Sequence, residues 1–166
     1  MKFTESQLEQ SVISLLEEQG IPHVSGLHIH KTLEEVLLKD DLKSFLYQQY
    51  ADITPNEIQQ IILKLEYFSA SALYESNREI LRMVSDGFLL KREDATKKDL
   101  FIQLIDYSEN DRNIYRFVNQ LEIKGTEKRI PDGILYINGL PLVIFEFKTA
   151  IQENTTIHDA YKQLTT

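Results

Sequence analysis

Glu146 and Lys148 are charged residues at the end of an otherwise apolar stretch that starts at Leu140. A strand repeats every second residue, so the two share a face with Leu142 and Ile144. Burying either charge alone is costly, and the pair therefore calls for partners. Asp132, directly after Pro131 at the start of the preceding β-rich segment, can supply one. Carboxylate oxygens are hard ligands that suit Mg²⁺, an ion that prefers an oxygen shell and keeps several waters. Such an ion polarises a phosphodiester and lowers the pKa of a coordinated water. An ammonium beside it can orient or deprotonate that water, or stabilise charge building on the phosphate. Asp132, Glu146 and Lys148 thus suit phosphodiester hydrolysis, and they equally suit a plain salt bridge at a strand end.

A further carboxylate stands out near the N-terminus. At about 100° per residue, Glu9 falls inside the helical arc of Leu8, Val12, Ile13 and Leu16, which faces the core. It can complete a metal site with Asp132 and Glu146, or it can be a marginal residue at the edge of the stripe. Glu5 lies on the same side, but in the first turn, where the helix dipole and solvent explain a carboxylate.

Several elements must position these groups. Thr4-Glu5-Ser6-Gln7 is a capping-box pattern that starts the first helix, and Gly20 ends it. Ile21 to Ile29 reads as a short strand or extended entry. From about Lys31 to Leu90 the chain is helical: Leu37, Leu38, Leu42, Phe45 and Leu46 fit one or two amphipathic helices. Thr54-Pro55-Asn56-Glu57 starts another with a Thr cap and Pro at the first position. A third covers Ala72 to Val84 and stops at Asp86-Gly87. Leu100 to Ile105 and Phe117 to Ile123 alternate as strands. Ile134 to Ile137 and Leu140 to Phe147 flank Asn138-Gly139, a strong hairpin signal. The last strand is apolar on both faces, as in a central strand covered by helices. Ile157, Ala160, Tyr161 and Leu164 mark a closing amphipathic helix. The fold class is α/β, a mixed sheet flanked by helices, in a single domain over 1–166 with a helical insertion at about 31–90.

The hairpin sets a geometric condition. A tight two-residue Asn138-Gly139 loop pairs Ile137 with Leu140 and Asp132 with Phe145, which puts Asp132 and Glu146 on opposite faces. A three-residue loop with a Gly bulge, or a kink at Pro131-Asp132, brings both carboxylates to one face. The expectation is one of these two.

Composition narrows the alternatives. The 166 residues carry 18 Lys+Arg against 26 Asp+Glu, a net charge of −8, with 42% hydrophobic and 27% charged residues. These are values of an ordinary globular protein, and acidity argues against nucleic-acid binding by bulk charge alone. The absence of Cys excludes thiolate zinc sites, iron–sulfur clusters and cysteine nucleophiles. No apolar run is long enough for a membrane span, so a cytoplasmic protein without membrane association is expected.

Pro131-Asp132 followed by Glu146-Phe147-Lys148 resembles the PD-(D/E)xK nuclease superfamily. The longer string from Ile130 through Asn138-Gly139-Leu140-Pro141-Leu142 to Lys148, with Val118-Asn119-Gln120 upstream, is more specific. It is similar to the N-terminal nuclease domain of the R subunit of type I restriction enzymes. Glu9, too, is similar to the first-helix glutamate of the superfamily. The likeness implies a restriction-endonuclease-like fold, Mg²⁺ held by Asp132 and Glu146 with Glu9 and the Phe147 carbonyl, and a catalytic Lys148. It also implies cleavage of double-stranded DNA, alongside modification (methyltransferase) and specificity subunits. ATP would serve the full-length subunit's motor and not bind this fragment, which has no Gly-rich phosphate-binding loop. Gln163 fits the start of a Gln-x-x-x-Tyr pattern found after the lysine strand in many members, but the chain stops before the Tyr.

Two other readings use the same residues: a stand-alone repair or junction nuclease of the superfamily, and a non-catalytic docking domain in which the charges form an ion-pair network. Lys124, Lys128 and Arg129 form a basic patch that either contacts phosphates, Lys124 and Gln163 being the DNA-binding candidates, or is a solvated turn. His28 and His30 can share a strand face as ligands, although no third ligand at matching spacing accompanies them.

Overall fold

The computed structural model describes residues 4–67, 72–125 and 127–148; the pattern of Ile157, Ala160, Tyr161 and Leu164, with Gln163, lies outside them. The described residues divide into two compact units, one comprising residues up to Leu37 together with those from Tyr115 onward, the other Leu38–Ile114.

The first unit opens with α1 (Glu5–Glu18). Its capping box is complete: Thr4 Oγ1 accepts from the Gln7 N–H and Gln7 Oε1 accepts from the Thr4 N–H. At the other end the Gly20 N–H donates to the Glu17 carbonyl and the Ile21 N–H to the Leu16 carbonyl. This Schellman closure needs a left-handed residue, which Gly20 supplies at φ 80°. The sheet of this unit contains β1 (His23–Ser25), β4 (Tyr115–Asn119), β7 (Gly133–Ile137) and β8 (Leu140–Phe145), in the order β1-β4-β7-β8. β1 runs parallel to β4 and the other neighbours are antiparallel, so the sheet is mixed. Its core is built on Phe117, Val118, Ile134 and Tyr136, all buried. Gly133 has no alternative: a side chain there would collide with the Phe117 ring. A separate strand pair joins β5 (Ile123–Lys124) to β6 (Lys128–Arg129).

The second unit contains α2 (Lys39–Gln49), α3 (Pro55–Glu66) and α4 (Leu73–Asp86), followed by the antiparallel strands β2 (Phe88–Leu90) and β3 (Leu100–Ile102). Leu42, Phe45, Leu46, Ile58, Ile61, Ile62 and Met83 fill its interior. Thr54 caps α3 with Glu57 reaching back, and Gly87 ends α4 at φ 74°.

Four expectations change. The Phe117 to Ile123 strand runs instead over Tyr115–Asn119, because Gln120 at φ 52° turns the chain. The strand expected over Leu100 to Ile105 ends at Ile102. His28 lies in a 3₁₀ turn, Gly26–His28, so His28 and His30 share no strand face. Among the described residues β8 is the outer strand of its sheet, not a central one, and Leu142, Val143 and Ile144 are 38%, 44% and 48% exposed. Pro141 suits this edge position, since it has no N–H to give a further strand. No helix among the described residues is long and apolar enough to cross a membrane.

Candidate active site

The β7–β8 hairpin turns through Asn138 and Gly139, at φ 51° and 77°. Both values are positive, as a two-residue type I′ turn requires, and Ile137 pairs with Leu140 across it. The expected three-residue loop is therefore absent, and the bulge lies further along. Tyr136 pairs with Pro141 but Leu135 pairs with Val143, which leaves Leu142 as the extra residue. The extra residue shifts the register by one. Gly133 then pairs with Phe145, the last rung of the ladder, and Asp132 and Glu146, the next residue on each side, line one cleft. A bulge in the strand does what the loop was expected to do.

Beyond the ladder, Asp132 Oδ2 accepts the Phe147 N–H at 2.6 Å, tying the ends of the two segments together. A cleft of about 380 Å³ opens here, lined by Asp132, Glu146 and Lys148 with Glu5, Arg129 and Ile144 among its other walls. Ile144 near the end of β8, and Glu146, Phe147 and Lys148 just past it, all line the cleft. Lys148 is exposed and Glu146 half-buried. Burial, then the negative charge of Asp132, push the Glu146 carboxyl above its ordinary value, and the cations Lys148 and Arg129 offset this only in part.

Glu9 is not a wall of this cleft; the carboxylate that α1 contributes is Glu5, one turn earlier. Glu9 Oε1 instead accepts from Asn119 Nδ2 at 2.8 Å and from Gln120 Nε2 at 3.5 Å. Asn119 Oδ1 in turn bonds His23 Nε2 at 2.8 Å, so its amide bridges the His and the Glu. The sequence pattern singles out Glu9 and sets Glu5 aside as a first-turn carboxylate, whereas it is Glu5 that lines the cleft. Which of the two meets the cleft depends on how α1 lies on the sheet, and periodicity carries no such information.

The basic patch also separates. Lys124 and Lys128 are directly opposite each other in β5–β6, while Arg129 is opposite Ile123. Alternation puts the first pair on one face and the second on the other. Arg129 and Ile123 line the cleft, and Lys124 does not. Lys128 is held by Glu122 at 2.7 Å. Gln163 lies outside the described residues.

Among the described residues no group of three or more His, Asp or Glu side chains is arranged to hold a metal ion. The available donors are the Asp132–Glu146 pair. That pair fits Mg²⁺, which is commonly held by one or two carboxylates and otherwise by water.

Comparison with known proteins gives a consistent answer. The family described as type I restriction enzyme R protein N terminus matches residues 2–166. The type I restriction enzyme HindI endonuclease subunit of Haemophilus influenzae is 25% identical over 98% of the chain. The SauCOLORF180P endonuclease subunit of Staphylococcus aureus is 26% identical over 97% of the chain, and the SsaAORF53P subunit of Staphylococcus saprophyticus is 28% identical over 97%. The chain spans 16% of the length of each of these relatives.

Proposed function

The chain belongs to the family of type I restriction enzyme R protein N termini, and we propose that it is the module of the R subunit that cuts DNA, with a restriction-endonuclease-like sheet as its scaffold. The observation that carries this reading is the meeting of Asp132, Glu146 and Lys148 in one cleft, at the open end of a bulged hairpin. Asp132 and Glu146, with the Phe147 carbonyl as a further oxygen ligand, would hold Mg²⁺. When bound, the ion supplies Lewis acidity and a water of lowered pKa. Asp132 accepts the Phe147 N–H through Oδ2, which fixes its carboxylate in the cleft wall. Lys148 places its ammonium where negative charge grows on the phosphate. In the reaction a bond forms from water oxygen to phosphorus, and the bond from phosphorus to one sugar oxygen breaks. The water loses a proton to solvent and the departing sugar oxygen gains one.

Double-stranded DNA is the substrate in this reading. The specificity subunit chooses the target in a complex that also holds the modification subunit, and ATP serves the remainder of the full-length subunit. The chain's net charge of −8 agrees with a division of labour in which the rest of the assembly holds most of the DNA. Lys124, which is not a wall of the cleft, and Gln163 remain candidates for DNA-backbone contacts.

Restriction of phage DNA by the full-length subunit tests the proposal directly. Asp132→Ala and Lys148→Ala are each expected to abolish restriction while the complex still assembles. Undiminished restriction by both variants would refute the site.

A further inference from the structure

We infer that Arg129 is the phosphate anchor of this cleft, the residue that seats the DNA backbone against the carboxylate pair. The inference rests on the nuclease reading above and extends it to a residue that the catalytic motif does not include.

Three observations converge on Arg129. It is placed by its own strand pair: β6 pairs with β5, Arg129 directly opposite Ile123, and both line the cleft. Its neighbours in the basic cluster take a different path, because Lys124 and Lys128 pair with each other and so fall on the opposite face. Lastly, Asp132, Glu146 and Lys148 line the same cleft as Arg129, so its guanidinium stands on the wall that carries the carboxylate pair.

Charge explains why such an anchor is needed. The cleft wall holds three carboxylates, Glu5, Asp132 and Glu146, against two cations, Arg129 and Lys148. A phosphodiester approaching that wall meets net negative charge, and a divalent ion at the carboxylate pair makes the lining net positive by one charge. Of the two cations Lys148 follows Glu146 by two residues past the end of β8, where the chemistry is proposed. Arg129 stands on a different strand pair, so it can grip a phosphate without leaving the reacting group. A guanidinium presents a planar fork that matches two phosphate oxygens, whereas an ammonium is a point charge. Arg129 is a binding residue in this assignment, and Lys148 the catalytic one.

The test measures DNA binding and metal binding separately. Binding of a short fluorescein-labelled duplex is followed by anisotropy in Ca²⁺ over a range of KCl concentrations, for wild type, Arg129→Ala, Arg129→Lys and Lys98→Ala. Lys98 is exposed in the other unit and gives the same change of charge. Mn²⁺ binding to each protein is measured by calorimetry. Arg129→Ala should weaken duplex binding about tenfold and make the log–log salt slope shallower by about 0.9, the loss of one phosphate contact. Arg129→Lys should restore the slope but not the full affinity. Lys98→Ala should stay within about twofold of wild type in affinity. Mn²⁺ should bind all four proteins. If Arg129→Ala holds the duplex as wild type does while Mn²⁺ still binds, the anchor is wrong and the carboxylate site stands. If Arg129→Lys matches wild type throughout, the fork is not what matters and the assignment is overturned in that form. If wild type binds no Mn²⁺, the nuclease reading itself fails.

Discussion

Each unit of the molecule takes carboxylates out of water, and the two resolve the cost in opposite ways. In the unit Leu38–Ile114, Glu57 is 1% exposed and faces Arg92, itself 6% exposed. Arg92 Nε donates to Glu57 Oε1 at 2.7 Å, and its Nη atoms donate to the Asp52 carboxylate at 3.2 Å and the Asp52 carbonyl at 2.8 Å. Burial pushes the Glu57 carboxyl up, but the Thr54 N–H, the Arg92 guanidinium and the Glu93 N–H outweigh it and hold it below the usual range. Asp52 is likewise held down by Arg92 and Lys97. In the unit carrying the cleft, burial and Asp132 win, and Glu146 is held up. A carboxylate with its donors built in has no need of a ligand. A carboxylate held up by burial and a neighbouring negative charge is one that a cation would stabilise, and on the proposed reading that contrast separates a structural ion pair from a cation site.

The largest way to sharpen this contrast lies in the cleft. Lys148→Ala should lower cleavage by about 10²–10⁴-fold with an unchanged circular dichroism spectrum, because an exposed ammonium contributes little to the fold. In the other unit the same kind of deletion should strike stability instead. Arg92→Met leaves Glu57 charged, buried and without its guanidinium, and should cost about 3–5 kcal/mol in urea unfolding. Removing both partners, as Glu57→Leu with Arg92→Met, should recover most of that loss.

Acid should separate the two sites further. Glu57 and Asp52 have depressed pKa values, so the stability they contribute is fully present above the unfolded-state carboxylate pKa and is lost as pH falls through their folded values. Glu146 has a raised value, and its contribution runs the other way, present at low pH and lost as pH rises through the folded value. Stability measured from neutral pH downward should therefore fall less steeply in the Glu57→Leu/Arg92→Met protein than in wild type. A smaller effect is expected at the base of the hairpin. Gly133→Ala must displace the Phe117 ring, at about 1–3 kcal/mol. Asn138→Ala at φ 51° should cost about 1–2 kcal/mol of turn strain, read as a shift in the urea midpoint.

What could be read from the letters follows the range of the interaction. Thr4 with Gln7, Thr54 with Glu57, and Asn138 with Gly139 each act within a few residues, and each forms the cap or turn its type suggests. The need for a one-residue register shift was also legible, because it follows from counting between Asp132 and Glu146. Its place was not: the strain is absorbed at Leu142, beside the N–H-less Pro141, on a strand whose edge position depends on the whole sheet order. Glu57 reads as a helix cap and is one, but its second role needs Arg92, 35 residues away. Glu5 and Glu9 share a helix side, and only the seating of α1 against Asn119 decides which one reaches the cleft.

The central claim is that Asp132 and Glu146 together form a cation site, and a calorimetric Mn²⁺ titration tests it most directly. Wild type should bind a single ion, Asp132→Ala and Glu146→Gln should each lose that binding, and Arg92→Met should keep it wherever the protein remains folded. Equal Mn²⁺ binding by wild type and both cleft variants, or no binding by wild type, would contradict the claim.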